Sequence, residues 1–248
     1  MTLRNWKSFR LTAAIEVVAA VALFLAGSIA GAQSLSVLPV NVFMQPGQKA
    51  ATLSVTNSGQ KPTSIQVRAY DWSQKSDEDQ LTPSNIVVAS PPLATIAPGS
   101  SQVVRLILRQ TPVGREATYR IVLDQIPGPG EPGEVQMVLR LSIPIFAMPA
   151  TKAAPQVQFH LESDGDKLFL VGVNTGLSHQ TIHNIVVTTA NGHKISAYKV
   201  SPYILAGVTR RWELDARGYA PQPGEILKLT ADGIAAAINE QVGVNSAP

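Results

Sequence analysis

The sequence predicts an all-β protein built from two β-sandwich domains in tandem. Short runs of alternating apolar residues recur along the chain, separated by clusters of Pro, Gly, Asn and Ser. No segment between residues 34 and 147 sustains a 3.6-residue hydrophobic period, and the alternation breaks off at residues 148–156 before it restarts. Strands of this size and spacing are typical of sandwiches, and the break indicates two of them.

The N-terminal segment is predicted to be an export signal. Three basic residues lie among the first ten, an apolar run follows, and the run closes with the small residues Ala30-Gly31-Ala32. We therefore expect residues 1–32 to be removed by cleavage before Gln33. An uncleaved membrane anchor is the alternative, because the apolar stretch is just long enough to span a bilayer.

Composition excludes several classes of function. The chain has no cysteine, which rules out thiol catalysis, cysteine zinc sites and iron–sulfur clusters. Of its 20 basic and 17 acidic residues, three basic residues and one acidic residue lie in the predicted signal. The mature chain is thus almost neutral and lacks the basic footprint of a nucleic-acid-binding protein.

The first half contains seven predicted strand regions in order. They cover 34–44, 51–57, 64–72, two strands within 86–110, 117–127 and 135–149. The turns between them carry Pro-Gly, Asn-Ser-Gly and Pro-Gly-Pro-Gly sequences, which favour turn geometry. A polar stretch, 73–85, follows the third strand, and the run DEDQ within it, residues 77–80, is predicted to be an exposed loop.

The second half repeats the pattern with less apolar strands. They cover 157–163, 168–176, 183–192, 203–215 and 224–233. A weak internal repeat links the halves: SVTNSG at 54–59 and GVNTG at 172–176 each end a strand early in its half. This placement suits two similar sandwiches. We place the first domain at 33–148, a linker rich in Ala and Pro at 149–155 and the second domain at 156–248.

No set of residues indicates catalysis or a bound cofactor. The four histidines, His160, His179, His183 and His193, all lie in the second half. His179 and His183 are four residues apart, which in a strand separates them by about 13 Å, too far to share a metal ion. We therefore predict solvated surface histidines, no metal and no cofactor. The Gly-rich run 128–134 lacks the Lys of a phosphate-binding loop and is predicted to join two strands.

The unusual element is the run VQMVLRLSIPIFAMP at 135–149. Every odd position from Val135 to Ile145 is apolar, and this alternation is typical of a strand with one apolar face. The alternating run is about twice as long as the usual strand. Pro144 cannot donate to a ladder and argues for a sheet edge. Two interpretations are open. The run is either a strand of the protein's own core, or an edge strand that pairs with another protein and buries its apolar side chains in that protein.

The sequence resembles the periplasmic pilus-assembly chaperones of the chaperone–usher pathway, the PapD-like family. The resemblance rests on ATLSVTNSGQKP, SPPLATIAPGSSQVVRL, TYRIVLDQIP and the ending SIPIFA, and it covers residues 34 to about 148. TYRIVLDQIP and SIPIF are most similar to the archaic branch. The resemblance implies two immunoglobulin-like domains in a boomerang arrangement, a periplasmic location and binding of pilin subunits, which are later passed to an outer-membrane usher. It implies no enzyme activity and contact with the membrane only through the usher.

The resemblance also assigns candidate site residues. The strand donated to a subunit would use four apolar side chains, those of Val135, Met137, Leu139 and Leu141. Ile143, Ile145 and Phe146 would belong to the protein's own core.

A cation is expected near the cleft to hold the subunit's C-terminal carboxylate. Members outside the archaic branch use an Arg and a Lys for this purpose, at positions that here hold Asn41 and Pro144. Because a buried carboxylate without a partner is costly, we expect Arg120 to replace them, with Arg140 as the second candidate.

Two other functions remain open at this point. The chain could be a structural subunit or adhesin of the pilus, although it lacks a donor-type N-terminal extension. It could also be an exported carbohydrate-binding module or sandwich enzyme, although it shows neither clustered carboxylates nor an aromatic face.

Overall fold

The structure, a computed structural model, describes residues 35–128, 133, 136–165, 167–197, 202–216, 218–219, 221–234 and 236–246, and the helices and strands found among them are all strands. The predicted signal peptide, residues 1–32, lies outside them. No helix is present in the described part, so nothing there is a helical membrane span. The prediction of an all-β protein is confirmed.

Ten strands form the first domain. They are β1 (Leu35–Leu38), β2 (Val42–Met44), β3 (Ala50–Asn57), β4 (Thr63–Lys75), β5 (Glu78–Pro83), β6 (Val87–Ser90), β7 (Leu93–Ile96), β8 (Ser101–Leu108), β9 (Ala117–Ile126) and β10 (Arg140–Ala147). One sheet has the order β1-β3-β8-β6, and the other has the order β2-β10-β9-β4-β5 with β7 added to β4. Their facing apolar residues, such as Leu53, Val104 and Ile121, form one buried core.

Eight strands form the second domain. They are β11 (Val157–Asp164), β12 (Lys167–Asn174), β13 (Gln180–Thr188), β14 (Lys194–Ala197), β15 (Tyr203–Ile204), β16 (Thr209–Asp215), β17 (Ile226–Gly233) and β18 (Ala237–Ser246). They pair in the order β14-β16-β12-β11-β18-β17-β13-β15, and β14 also pairs with β13, so the path closes around a second core. Residues 148–156 lie between the two groups of strands and form none.

The two Asn-containing repeats have equivalent roles. The Asn57 side chain is buried; its Oδ1 accepts from Gly59 N at 2.9 Å and its Nδ2 donates to Lys61 O and Ile96 O. Asn174 in the second domain repeats the pattern, as the next paragraph describes. The internal repeat seen in the sequence is therefore a repeat of structure.

Asn174 is also buried and fixes the residues that follow the first domain. Its Oδ1 accepts from Gly176 N and Gln156 N, and its Nδ2 donates to Ser178 O and Ile204 O. A Cβ at Gly176 would lie 2.5 Å from Ala154 O, so only glycine permits this close approach.

Two predictions about the first domain were wrong. The run 77–80 is not an open loop: β4 extends to Lys75, β5 begins at Glu78, and the two pair as an antiparallel hairpin. The long predicted strand begins at Arg140, because residues 136–139 do not belong to any strand.

Candidate functional site

The strand β10 changes its surroundings halfway along. It pairs with β9 over its whole length, but with the parallel strand β2 only from Ile145 to Ala147. Among the strands that the structure describes, none covers this side of β10 between Arg140 and Pro144. The first half of β10 is therefore an edge strand and the second half is an interior strand.

We call Arg140–Pro144 the edge segment. Part of its backbone N–H and C=O groups point away from β9, to the side that no described strand covers. Gln125 N donates to Leu139 O at 2.9 Å, which makes this position a bonded pair between β9 and the chain leading into β10. Because bonded pairs alternate along an antiparallel ladder, odd-numbered residues here direct their backbone groups to β9 and even-numbered residues direct theirs away from it. The even-numbered residues are Arg140, Ser142 and Pro144. Pro144 thus sits where its missing N–H breaks no bond to β9.

The odd-numbered apolar side chains from Met137 to Ile145 form what we call the apolar stripe. They are buried at its Ile145 end and exposed at its Met137 end. Ile143 and Ile145 are buried in the first core, and Leu141 packs partly against it. Leu139 is 37% exposed and Met137 is 87% exposed. Val135 lies outside the described residues. The expectation for Ile143 and Ile145 is confirmed, and the stripe continues beyond the core as an exposed apolar surface.

Phe146 is buried but not in the sandwich core where it was expected. It is an even-numbered residue, so its ring faces the other side of the sheet, where it contacts Trp72 at 5.8 Å between ring centroids. Leu205 of the second domain completes this small cluster. Phe146 therefore joins the two domains.

Arg140, an even-numbered residue, extends away from the odd-numbered apolar side chains of this strand. Its side chain is 71% exposed and pairs through Nε with Asp124, which also pairs with Arg68. Burial alone would raise the pKa of Asp124, but the hydrogen bonds from Arg140 and Arg68 hold it below the ordinary value. Arg140 is thus tied to the sheet near the start of the edge segment.

Arg120 lies opposite Pro144 in the β9–β10 ladder, where the open edge ends. Its side chain is 11% exposed, its guanidinium carbon lies 3.7 Å from the centroid of the Trp72 ring, and its Nη2 is 3.4 Å from Asp79 Oδ2. Burial lowers the pKa of Arg120, and the charge of Asp79 opposes that shift. The guanidinium remains a cation because its ordinary pKa is far above neutrality.

The β4–β5 hairpin contacts the second domain through an ion pair and hydrogen bonds. Asp79 Oδ1 pairs with Arg210 Nη1 at 3.0 Å, and Asp77 Oδ1 accepts from Arg211 N at 2.7 Å. Gln74 donates to Tyr203 O and accepts from Leu205 N. The acidic run interpreted as an exposed loop is therefore part of the contact between domains.

The prediction of surface histidines was wrong for His179. Its side chain is 3% exposed, its Nδ1 lies 2.8 Å from Glu116 Oε1, and its ring stacks on Phe146 at 3.6 Å between centroids. Glu116 comes from the first domain and is itself buried. His179 is consequently a contact between domains.

Asn41 marks the other side of the same junction. It immediately precedes β2, and its Oδ1 accepts from the Tyr203 hydroxyl at 3.4 Å. Tyr203 also lies over Arg120, with 5.3 Å between ring centroid and guanidinium carbon. A single aromatic ring therefore connects the end of the open edge with the buried arginine. Within the described residues, no three metal-binding side chains converge.

Residues 34–153 match the family model described as "Pili and flagellar-assembly chaperone, PapD N-terminal domain". Among solved structures, a chain of the CsuC–CsuE chaperone–tip adhesion subunit complex of Acinetobacter baumannii is similar, with 18% identity, a TM-score of 0.63 and coverage of 87% of this chain and 100% of that one. The chaperone YadV is similar with 16% identity, a TM-score of 0.63 and coverage of 84% and 98%. The E. coli chaperone DraB is similar with 20% identity, a TM-score of 0.55 and coverage of 87% of this chain and 97% of that one. No curated protein matches the chain.

Proposed function

Through residues 34–153 this chain belongs to the PapD-type pilus-assembly chaperones, which are not enzymes, and we propose that it binds pilus subunits by donating the edge of β10. The observation that carries the proposal is the open edge Arg140–Pro144 with its exposed apolar side chains upstream. Family membership favours a chaperone over a pilus subunit, an adhesin or a carbohydrate-binding module.

Strand addition suits this edge for two physical reasons. A subunit strand laid along β10 would pair with the outward backbone groups of Arg140 and Ser142, which satisfies polar groups on both chains. The side chains of Met137 and Leu139 would enter a groove of the subunit, joined by Leu141 and, in the same alternation, Val135. Burial of Met137 and Leu139 alone would contribute about 3–6 kcal/mol before ordering costs.

A subunit strand added to β10 would have to end at Pro144, where the pairing of β10 with β2 begins. Beyond it, β2 already occupies the edge, so an added strand would stop beside Asn41. We propose that the strand carries the subunit's terminal carboxylate to this point and that Arg120 anchors it. Arg120 is favoured over Arg140, because Arg120 lies in register with Pro144 and is buried, whereas Arg140 is four residues upstream and exposed.

The cellular setting follows from the same proposal. Solved structures of this fold include the periplasmic chaperone SfaE and the SafB chaperone in complex with a Salmonella enterica pilin. We propose that this chain likewise acts in the periplasm, that residues 1–32 direct it there, that its partners are pilin subunits and that it passes them to an outer-membrane usher.

The test is capture of a defined subunit in the periplasm. The chain is co-expressed with the pilin encoded beside its own gene and purified through an affinity tag. We expect a stoichiometric complex with the native chain and its loss in the Met137→Arg, Leu139→Arg variant. A Val103→Arg, Ile107→Arg variant is the matched control, because it places the same charges on exposed apolar positions of β8 in the other sheet. Equal capture by all three proteins, or capture by none, would refute strand donation.

A further inference from the structure

The outer face of the sheet that contains β10 carries three neighbouring charged side chains, and the last of them lies at the open edge. Arg68 lies on β4, Asp124 on the middle strand β9 and Arg140 on β10, and all three are even-numbered residues that point away from the sandwich core. Asp124 pairs with Arg68 through Oδ2 and with Arg140 through Oδ1. We call these three residues the charged row. Its signs alternate across the sheet, and Arg140 is its outermost member.

The charged row has one positive charge in excess. Asp124 is the one carboxylate among the described groups whose charge acts on Arg68, and it also pairs with Arg140. The Nε atom of Arg68 is buried without a hydrogen-bond partner among the described residues. Arg140 reaches Asp124 through Nε, and its side chain is 71% exposed. The charged row can therefore accept a further anion, and the accessible place for it is beside Arg140.

A strand added to the edge segment would bring one of its side chains to this place. The backbone of Arg140 directs its groups outward, so a partner residue would lie beside it on the neighbouring strand, about 5 Å away. Of the three outward residues of the edge segment, Arg140, Ser142 and Pro144, only Arg140 is charged. An Asp or Glu at the partner position would continue the alternation of signs and neutralise the excess charge.

The apolar stripe by itself does not fix the register of the added strand. Met137, Leu139 and Leu141 recur every two residues, so a partner strand that slips by two residues still places side chains of the same face against them. Such a slip moves each partner residue about 7 Å along β10. An acidic side chain would then lose its contact with Arg140, so a single charge distinguishes registers that the apolar side chains do not.

We infer that Arg140 sets the register of the bound subunit strand by pairing with an acidic side chain of that strand on the outer face of the sheet. This inference rests on the proposed function and deepens it, since it gives the partner strand a chemical requirement besides its apolar side chains. The acid lies beside Arg140, four residues along β10 from Pro144, and is distinct from the terminal carboxylate. Asp124 holds the Arg140 side chain in place, and Arg68 leaves the charged row with its excess charge. Arg140 is thus a positioning residue of the complex.

The first test is a search for coupling between Arg140 and the pilin. The native chain and Arg140→Gln, carrying different affinity tags, are co-expressed and compete for the neighbouring pilin, in which each Asp and Glu is changed in turn to its amide. We expect the native chain to take about two- to fivefold more pilin than Arg140→Gln, as an exposed ion pair provides. At one acidic position of the pilin this preference should disappear, because the partner of Arg140 is gone.

The matched control is Arg105→Gln, which removes an exposed arginine from β8 in the other sheet and should compete equally with the native chain. A preference that survives every amide substitution in the pilin, or no preference at all, would refute the pairing. Capture by the native chain and not by the Met137→Arg, Leu139→Arg variant would still support strand donation in that case, so the two proposals fail separately. Absence of any capture would refute both.

The second test measures the register directly. The chain has no cysteine, so Ser142→Cys places a single thiol at an outward position of the edge segment. Pilin variants that each carry one added cysteine should form a disulfide with it only where the two Cα atoms lie within about 7 Å. We expect cross-linking at one pilin position when Arg140 is present and, after Arg140→Gln, also at positions two residues before and after it. A single unchanged position in Arg140→Gln would refute the role of Arg140 in setting the register.

Discussion

Arg120 lies directly opposite Pro144 in the ladder between β9 and β10, at the position where the open edge of β10 ends and β2 begins. Upstream of this pair the sheet can accept another strand, and downstream it cannot. The same pair marks the passage from the sandwich to the domain contact, because Phe146 and Arg120 face the second domain while Ile145 faces the core. A strand edge and a buried cation thus meet at one register position.

The first prediction concerns the outward backbone of β10. Ser142→Pro removes an N–H that points away from β9, so it should lower the free energy of unfolding by no more than about 1 kcal/mol. A subunit strand would lose one ladder hydrogen bond, and we expect capture to weaken about five- to tenfold. Affinity in the co-expression experiment and denaturant unfolding measure the two effects.

Leu141→Pro is the matched control for this substitution. Its N–H faces β9, so the variant should lose about 3 kcal/mol of stability or more. If Ser142→Pro captures subunits as well as the native chain does, the partner strand does not pair along this edge.

The second prediction is a dependence of stability on pH through Asp124. Hydrogen bonds from Arg140 and Arg68 lower the pKa of Asp124 in the folded protein. A lowered pKa means that the contribution to stability is present above the unfolded-state pKa of about 3.9 and is lost as the pH falls through the folded-state value. Asp124→Asn should therefore cost about 1 kcal/mol at neutral pH and progressively less below about pH 4.

Denaturant unfolding of both proteins across this pH range provides the measurement. A difference in the free energy of unfolding that stays constant down to about pH 2 would contradict the role of the Asp124 carboxylate.

The third prediction concerns the buried pair between Glu116 and His179. His179→Phe keeps an aromatic ring against Phe146 but leaves the Glu116 carboxylate without its Nδ1 partner, so we expect a loss of about 3–5 kcal/mol. Adding Glu116→Leu removes the uncompensated charge. The double variant should therefore be more stable than His179→Phe alone.

A double-mutant cycle of denaturant unfolding measures this coupling. Additive losses would show that the two side chains do not stabilise the domain contact together.

The sequence predicts strands well but not contacts between distant residues. The alternation of β8, β9 and β10 follows directly from apolar side chains that fill one core, and the turn residues separate the strands. The pairs Asp79–Arg210 and Glu116–His179 join residues from different domains, and no local pattern marks them. For Phe146 a signal was present: it is an even-numbered apolar residue in a strand whose odd positions fill the core, so its ring needed a second surface to cover it.

The candidate site was predictable to the same limited extent. The apolar stripe through Met137 and Leu139 is visible in the sequence, and its exposure depends on β10 forming an edge there, which is a property of strand order. Arg120 could be selected as a candidate because it lies between the core residues Tyr119 and Ile121 and must face the opposite side. Arg210, which pairs with the same Asp79, could not, since only the docking of the second domain brings it near.

The last prediction uses the repeat shared by the two domains. Asn57→Ala removes two donated hydrogen bonds and one accepted bond, and leaves Ile96 O and Gly59 N buried without this partner. We expect a loss of about 2–4 kcal/mol in the free energy of unfolding, since unsatisfied buried groups cost more than the bond itself contributes. Asn174→Ala should cost at least as much, because its Oδ1 also holds Gln156 N after the first domain.

Asn239→Ala, an exposed position on β18, is the control and should change stability by less than about 0.5 kcal/mol. The two core variants should differ in which domain they destabilise. Hydrogen exchange of β3 and β7 should accelerate in Asn57→Ala, and that of β12 and β15 in Asn174→Ala, since each asparagine joins its own strand to a neighbouring one. Equal acceleration of hydrogen exchange in both domains for either variant would contradict this prediction. It would mean that the domains unfold as one unit, and that the two asparagines stabilise the contact between domains as much as they stabilise the individual sandwiches.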